Sequence, residues 1–208
     1  MNKVLALEFS TAQASLALLT AGEVIATCAV AATHRRSQEL FAAVDELLAG
    51  AGWHLREMDA FAVGCGPGAY TGLRVSLTTA NGWALPTGRP VWTVASAAAL
   101  AAETLAEDTS LAQVVVAGEA RRGTIWAGLF ARDPAHLVAQ IGDWQLLPAA
   151  ARGTGWPGVP WVAAGRVPHA AWVGRLHATG RPSAAPEPIY LHPAVAIPPR
   201  FPTPPPTA

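Results

Sequence analysis

A chain of 208 residues with 14 basic and 14 acidic side chains carries no net charge at pH 7, so it lacks the cationic excess that gripping a phosphate backbone requires. With 51% hydrophobic and 13% charged residues, it cannot be disordered over most of its length, and it fits one large domain or two small ones. The longest uncharged stretches, such as Phe9 to Gly22 and Val75 to Gly88, reach 14 residues, short of the roughly 18 to 20 of a membrane-spanning helix. Glu8 interrupts the apolar start where a signal peptide would continue, and the chain reads as cytoplasmic. The two cysteines, Cys28 and Cys65, make no disulfide framework or zinc site unaided and read as small hydrophobes in buried strands.

In chain order, Lys3 to Phe9, Ala14 to Thr20 and Glu23 to Val30 are three extended runs separated by turn residues, an antiparallel meander. Leu40, Phe41, Val44, Leu47 and Leu48 follow helical spacing, predicting a helix from about His34 to Ala49. Asp59 to Cys65 is a buried strand running into Gly66-Pro67-Gly68, and a second helix starts near Thr71, its stripe formed by Leu73, Leu77, Ala80 and Ala84. Val91 to Val94 is another strand, and Ser96 is placed to cap a helix from about Ala97 to Ala106. This order is βββαβαβα.

The segment Val116 to Phe130 then repeats the outline of Leu5 to Leu19, with Glu119 falling 111 residues after Glu8 and Leu18 and Leu19 meeting Leu129 and Phe130. Such self-similarity predicts a duplicated βββαβα unit. The second copy is weaker: Leu137 to Gln140, a Gly- and Pro-rich run, a strand at Trp161 to Ala164, and a helix from about Pro168 to His177. The division expected is 1–108 and 109–197 for the two lobes, with a Pro-rich disordered tail at 198–208.

Little in this chain spells catalysis. Gly66 to Arg74 links a strand to a helix as phosphate loops do, but it lacks the Gly-Lys-Ser/Thr ending of a P-loop and the glycine spacing of a dinucleotide fingerprint. No serine sits in a nucleophile elbow, and no two of the six histidines have metal-ligand spacing. Glu8 and Glu119 are placed to orient a metal-bound water, but the turn after Glu8 has no glycine and Arg121-Arg122 stand beside Glu119, favouring a salt bridge or partner contact. Neither metal nor nucleotide is expected. Trp83 and Trp92 read as core, and Trp144, Trp156 and Trp161 as core or interface.

Gly66-Pro67-Gly68-Ala69-Tyr70-Thr71-Gly72-Leu73-Arg74 resembles the GPGSFTGLR motif of the bacterial TsaB (YeaZ) family. Leu5 to Thr11 is similar to its opening LAIDTST, His34-Arg35-Arg36-Ser37-Gln38 to its HSE-type helix start, Glu119 to Gly123 to its DARR(G/N) turn, and Pro188-Ile189-Tyr190-Leu191 to its closing PxYLR. The departures are Glu for Asp at 8 and 119, and His192 for the closing Arg.

The resemblance implies an α/β actin-like ATPase (ASKHA) fold of two ribonuclease-H-like lobes, and a non-catalytic subunit of the machinery that makes N6-threonylcarbamoyladenosine in tRNA. The catalytic relative TsaD carries a His-x-x-x-His metal pair where Ser96 and Leu100 stand here. The partners implied are a TsaD-type subunit, a TsaE-type ATPase, a second copy of the chain when TsaD is absent, and tRNA only through the complex. The surplus apolar face of the first two helices is the expected interface, carried by His34, Ser37, Gln38, Phe41, Leu48, Tyr70, Thr71, Leu73 and Arg74, with Gly66, Pro67, Gly68 and Gly72 shaping the loop and Glu8 and Glu119 as relic acids. The rival reading is a stand-alone homodimeric actin-like protein with weak nucleotide or peptidase activity.

Overall fold

The computed structural model describes residues 2–30, 36–183 and 186–191, the side chains of 36 and 37 excepted. His34, His192 and the Pro-rich segment 198–208 lie outside the described residues. The elements are β1 (Lys3–Glu8), β2 (Ala14–Thr20), β3 (Glu23–Val30), α1 (Arg36–Gly50), β4 (Ala60–Gly64), α2 (Tyr70–Ala84), β5 (Val91–Val94), α3 (Ser96–Glu107), β6 (Gln113–Glu119), β7 (Thr124–Asp133), β8 (Leu137–Pro148) and α4 (Ala170–Ala178).

Five strands form one sheet in the order β3-β2-β1-β4-β5. β2 runs antiparallel to β1 and β3, while β4 lies parallel to β1 and β5 parallel to β4. This mixed order, with the parallel pairs joined through helices, is the ribonuclease-H-like arrangement expected of the actin-like α/β fold. β1 sits at the centre and is buried on both faces, hence its unbroken apolar run.

The two faces of β1 are not alike. Leu5 and Leu7, with Leu16, Leu18, Phe61 and Val63 of the neighbouring strands, pack under α1 and α2. Val4 and Ala6, with Ala17, Ala60 and Ala62, face α3 and α4. Small side chains on this second face let the alanine-rich α3 and the short α4 approach closely. At Gly174 of α4 an added Cβ would stand 2.2 Å from Leu19 Cδ1, so only glycine fits there.

A second sheet, β6-β7-β8, is antiparallel throughout. Its inner face offers Val114, Val116, Phe130 and Val138 to the same core that α3 and α4 share with the first sheet. α3 lies against β6, β7 and β8, and α4 against β1, β2 and β4. The layers therefore run α1/α2, large sheet, α3/α4, small sheet.

The strand pairings bear on the repeat. β1 pairs antiparallel with β2 on one side and parallel with β4 on the other; β6 pairs antiparallel with β7, and Val115 makes a parallel bridge to Trp161. Glu8 and Glu119 both end the first strand of their sheet. The second hairpin is one residue tighter, pairing Glu119 with Ile125 where Glu8 pairs with Ser15. The structural counterpart of Leu18 is therefore Gly128, not Leu129, which corrects the alignment by constant offset.

The second unit is also shorter than βββαβα. Between β8 and the Trp161 bridge the described residues hold only a single 3-10 turn, Ala149–Ala151, and the strand expected at Trp161 to Ala164 is that one bridge. Ser96 is another correction: it is the first residue of α3, and its hydroxyl accepts the Gly66 N–H at 3.0 Å instead of capping the helix. Among the described residues, no helix is long and apolar enough to cross a membrane.

Candidate docking site

The glycine loop is fastened from three directions. Ser10, in the β1–β2 turn, accepts the Ala69 N–H on its carbonyl at 2.6 Å. Gly66 and Ser96 bond reciprocally, Gly66 N–H to Ser96 Oγ and Ser96 N–H to the Gly66 carbonyl at 2.8 Å. From the C-terminal segment, the Ile189 N–H reaches the Cys65 carbonyl at 2.8 Å. A Cβ on Gly68 would lie 2.3 Å from the Ser10 carbonyl oxygen, so this glycine is what lets loop and turn touch. Two of the loop's amides, at Gly66 and Ala69, are thus bonded within the protein and are not free to cradle a phosphate.

Beneath the loop lies Glu8, wholly buried. Its Oε1 accepts the Ser10 N–H at 2.7 Å, and its Oε2 has no hydrogen-bond partner among the described residues. Burial raises the carboxyl above its ordinary range, partly offset by the nearby hydroxyls and amide of Ser10 and Ser96. The neighbouring Cys65 thiol is pushed up to about 12, by burial first and then by the charge of Glu8. Glu119, at the matching place in the other sheet, is exposed, and no ion pair joins it to Arg121 or Arg122 among the described residues. The tighter second hairpin and the missing cover on its sheet leave that acid in solvent.

The loop delivers the start of α2 to the surface. Tyr70 is 50% exposed and Tyr190 53%, and their rings stack with centroids 5.5 Å apart. The Arg74 guanidinium bonds to the Tyr70 hydroxyl and lies over its ring, 5.2 Å from the centroid, a cation–π contact. Thr71 is exposed beside them, while Gly72, Gly66 and Pro67 are buried and Gly68 is exposed.

A second patch lies at the other end of α2. Phe41 of α1 is 48% exposed and meets Trp83 edge-on at 5.9 Å. Leu85, directly after α2, is 84% exposed, and Gln38 is exposed one turn before Phe41. The start of α1 therefore lies beside the end of α2, and Tyr70 stands about 20 Å away at the helical rise per residue. The two helix starts do not form one patch, as expected from sequence; they mark opposite ends of a face.

Leu48 and Leu73 need correcting outright. Leu48 is 4% exposed and Leu73 fully buried; with Leu40, Val44 and Leu47, Leu48 belongs to the core under α1 and α2. What read as two apolar stripes on α1 is one broad stripe sunk onto the sheet, with Phe41 left outside. Ser37 lies in the first turn of α1, its side chain outside the described residues. Sequence reasoning missed Trp83, Leu85 and Tyr190 as surface partners of these residues; the closing Pro-Ile-Tyr-Leu segment was the available signal for Tyr190.

Comparison with known proteins matches residues 29–171 to the family described as TsaD, tRNA N6-adenosine threonylcarbamoyltransferase. The tRNA threonylcarbamoyladenosine biosynthesis protein TsaB of Haemophilus influenzae is 34% identical over 131 residues, covering 62% of this chain and 54% of its own length. The protein of the same name from Escherichia coli is 28% identical over 131 residues, covering 63% of this chain and 56% of its own. The chain thus spans about half the length of the curated relatives it matches. Among solved structures, YeaZ from Pseudomonas aeruginosa superposes with a TM-score of 0.78 at 26% identity, over 92% of this chain and all of that one.

Proposed function

Because the chain belongs to the family of the tRNA N6-adenosine threonylcarbamoyltransferase TsaD, and within it to the TsaB (YeaZ) line, we propose that it is a non-catalytic subunit that docks a TsaD-type transferase and supports formation of N6-threonylcarbamoyladenosine in tRNA. The observation that carries this reading is the α1–α2 face. Its inner side is packed onto the sheet, yet Phe41, Tyr70 and Leu85 stand outside it, 48%, 50% and 84% exposed. Aromatic anchors at both ends of a helix pair are what a partner's helices would cover, with a few central residues dominating the affinity.

The glycine loop fits a supporting role in this scheme. Tied to Ser10, Ser96 and Ile189, it fixes where α2 begins and so where Tyr70 and Arg74 project. Ser96 and Leu100, which stand where the catalytic relative has its histidines, are both buried in the core, supporting a role without metal. The two lobes are read as 1–108 and 109–197, with tRNA held mainly by the partner because this chain is neutral. A TsaE-type ATPase is the third component of the proposed complex, and a second copy of this chain takes the face when the transferase is absent.

The test is reconstitution. A TsaD-type subunit, a TsaE-type ATPase, tRNA and threonylcarbamoyl-adenylate should give transfer to the adenosine beside the anticodon with this chain present, and little without it. Equal transfer without it would overturn the reading.

A further inference from the structure

We propose that the free edge of β3 is a strand-addition site for an extended segment of another protein in which apolar residues alternate with basic ones. β3 ends the five-stranded sheet, paired among the described residues with β2 alone. None of its backbone groups bonds to a loop or turn among the described residues. An edge of this kind offers a row of donors and acceptors to an incoming chain.

What distinguishes this edge is a groove on each side of it. On the α1 side, Ala26, Cys28, Ala43, Leu47 and Gly50 line a groove of about 370 Å³ with Glu46 at its wall. On the α4 side, Leu16, Ala29, Ala170 and Trp172 line one of about 290 Å³, with the Glu103–His169 pair at its wall. Successive side chains of an added strand point to opposite faces, so they would drop alternately into these two grooves. The first carries Glu46, whose carboxylate has no ion-pair partner among the described residues, and takes a basic side chain. The second is walled mostly by apolar residues, its one carboxylate, Glu103, already bonded to His169, and takes an apolar one.

Charge decides the occupant. The charged residues lining the grooves are Glu46 and Glu103; the one base lining them, His169, is held through Nδ1 to Glu103 at 2.9 Å. Arg166 stands 3.8 Å from Glu103 but is paired closely with Glu107 at 2.6 Å. A second copy is a poor match, because its β3, Glu23 to Val30, has no basic residue and would bring another acid. An alternating apolar–basic segment satisfies both grooves and the edge together.

The probe is a fluorescein-labelled acetyl-(Val-Arg)₃-Val-amide peptide, titrated into the full-length chain by fluorescence anisotropy. Its counterpart, N-methylated at alternate amides, keeps charge and apolarity but cannot extend the ladder. The protein variants are Ala43→Phe, which fills the α1-side groove from an accessible helix position, and Glu46→Lys, both checked by thermal melt. We expect saturable binding of the first peptide, at least tenfold weaker for the N-methylated one and for Ala43→Phe, with Glu46→Lys weakened in a salt-dependent way. Equal affinity for both peptides would show charge attraction without strand addition, and absence of binding would refute the site. A dimer of the chain that Ala43→Phe dissociates would make a second copy the occupant and overturn the proposal.

Discussion

Replacing Gly64 with alanine should destabilise the protein severely, and the length of one side chain should decide by how much. A Cβ at position 64 would lie 1.8 Å from Glu8 Oε2, 2.7 Å from its Cδ and 2.8 Å from Ser96 Oγ. The carboxyl cannot swing into solvent, since Glu8 is wholly buried and its Oε1 is held by the Ser10 N–H. Forcing a methyl group into a packed site costs about 1–3 kcal/mol, and loss of the Ser10 hydrogen bond adds about 1–2 kcal/mol. Gly64→Ala should therefore cost roughly 2–5 kcal/mol, a large share of a typical domain's stability. Glu8→Asp withdraws the carboxyl by one methylene and leaves only the 2.8 Å approach to Ser96 Oγ, so in that background Gly64→Ala should cost about 1–2 kcal/mol, a coupling of the size expected for residues in contact. Urea unfolding followed by tryptophan fluorescence reads both values, and the eight tryptophans give ample signal. The reasoning fails if Gly64→Ala costs the same in both backgrounds, or is nearly neutral in the native one.

Burial holds the Glu8 carboxyl above its ordinary range, so the folded state keeps a proton that the unfolded chain releases; the stability associated with it is full below the unfolded pKa of about 4.3 and is lost as pH rises through the folded pKa. Glu8→Gln does not titrate at this position, so its urea midpoint should gain on the native protein's as pH rises above the unfolded pKa, and parallel pH profiles would contradict this. Leu48→Asp should unfold the protein, because Leu48 is 4% exposed within the core and an unpaired charge there costs several kcal/mol. Phe41→Asp should stay folded, losing about 1 kcal/mol of ring contact with Trp83; circular dichroism melts of the two variants separate them. With its thiol pushed up to about 12, Cys65 should react with a disulfide reagent at pH 8 only as fast as the protein unfolds, after the half-buried Cys28; rapid modification of Cys65 in the native state would contradict its burial.

The large sheet was legible because β1, β2, β3 and β5 are short apolar runs bounded by turn residues, and their observed limits lie within a residue of the expected ones. The reduced second unit was harder to read. Its bridge at Trp161 depends on a single pairing with Val115, which no local pattern announces. Helical periodicity identified α1 but could not tell that Leu48 and Phe41, one beside the other in its pattern, would end one inside and one outside the surface, which is set by how α1 packs on the sheet. Ser96 looked like a cap because a serine before an alanine run usually is one. Its hydroxyl was instead claimed by the Gly66 amide 30 residues away, and Ile189 reaches Cys65 across a still longer span. Contacts of that range are set by the fold and leave no trace in spacing.

The central claim is that a TsaD-type subunit sits on the α1–α2 face, and the affinity between the two purified proteins tests it most directly. Titration calorimetry should show tight binding to the native chain and at least a hundredfold weaker binding to Phe41→Asp and to Tyr70→Asp, since each would bury an uncompensated charge at an aromatic anchor. Unchanged affinity for both folded variants would contradict the account and place the partner on another surface.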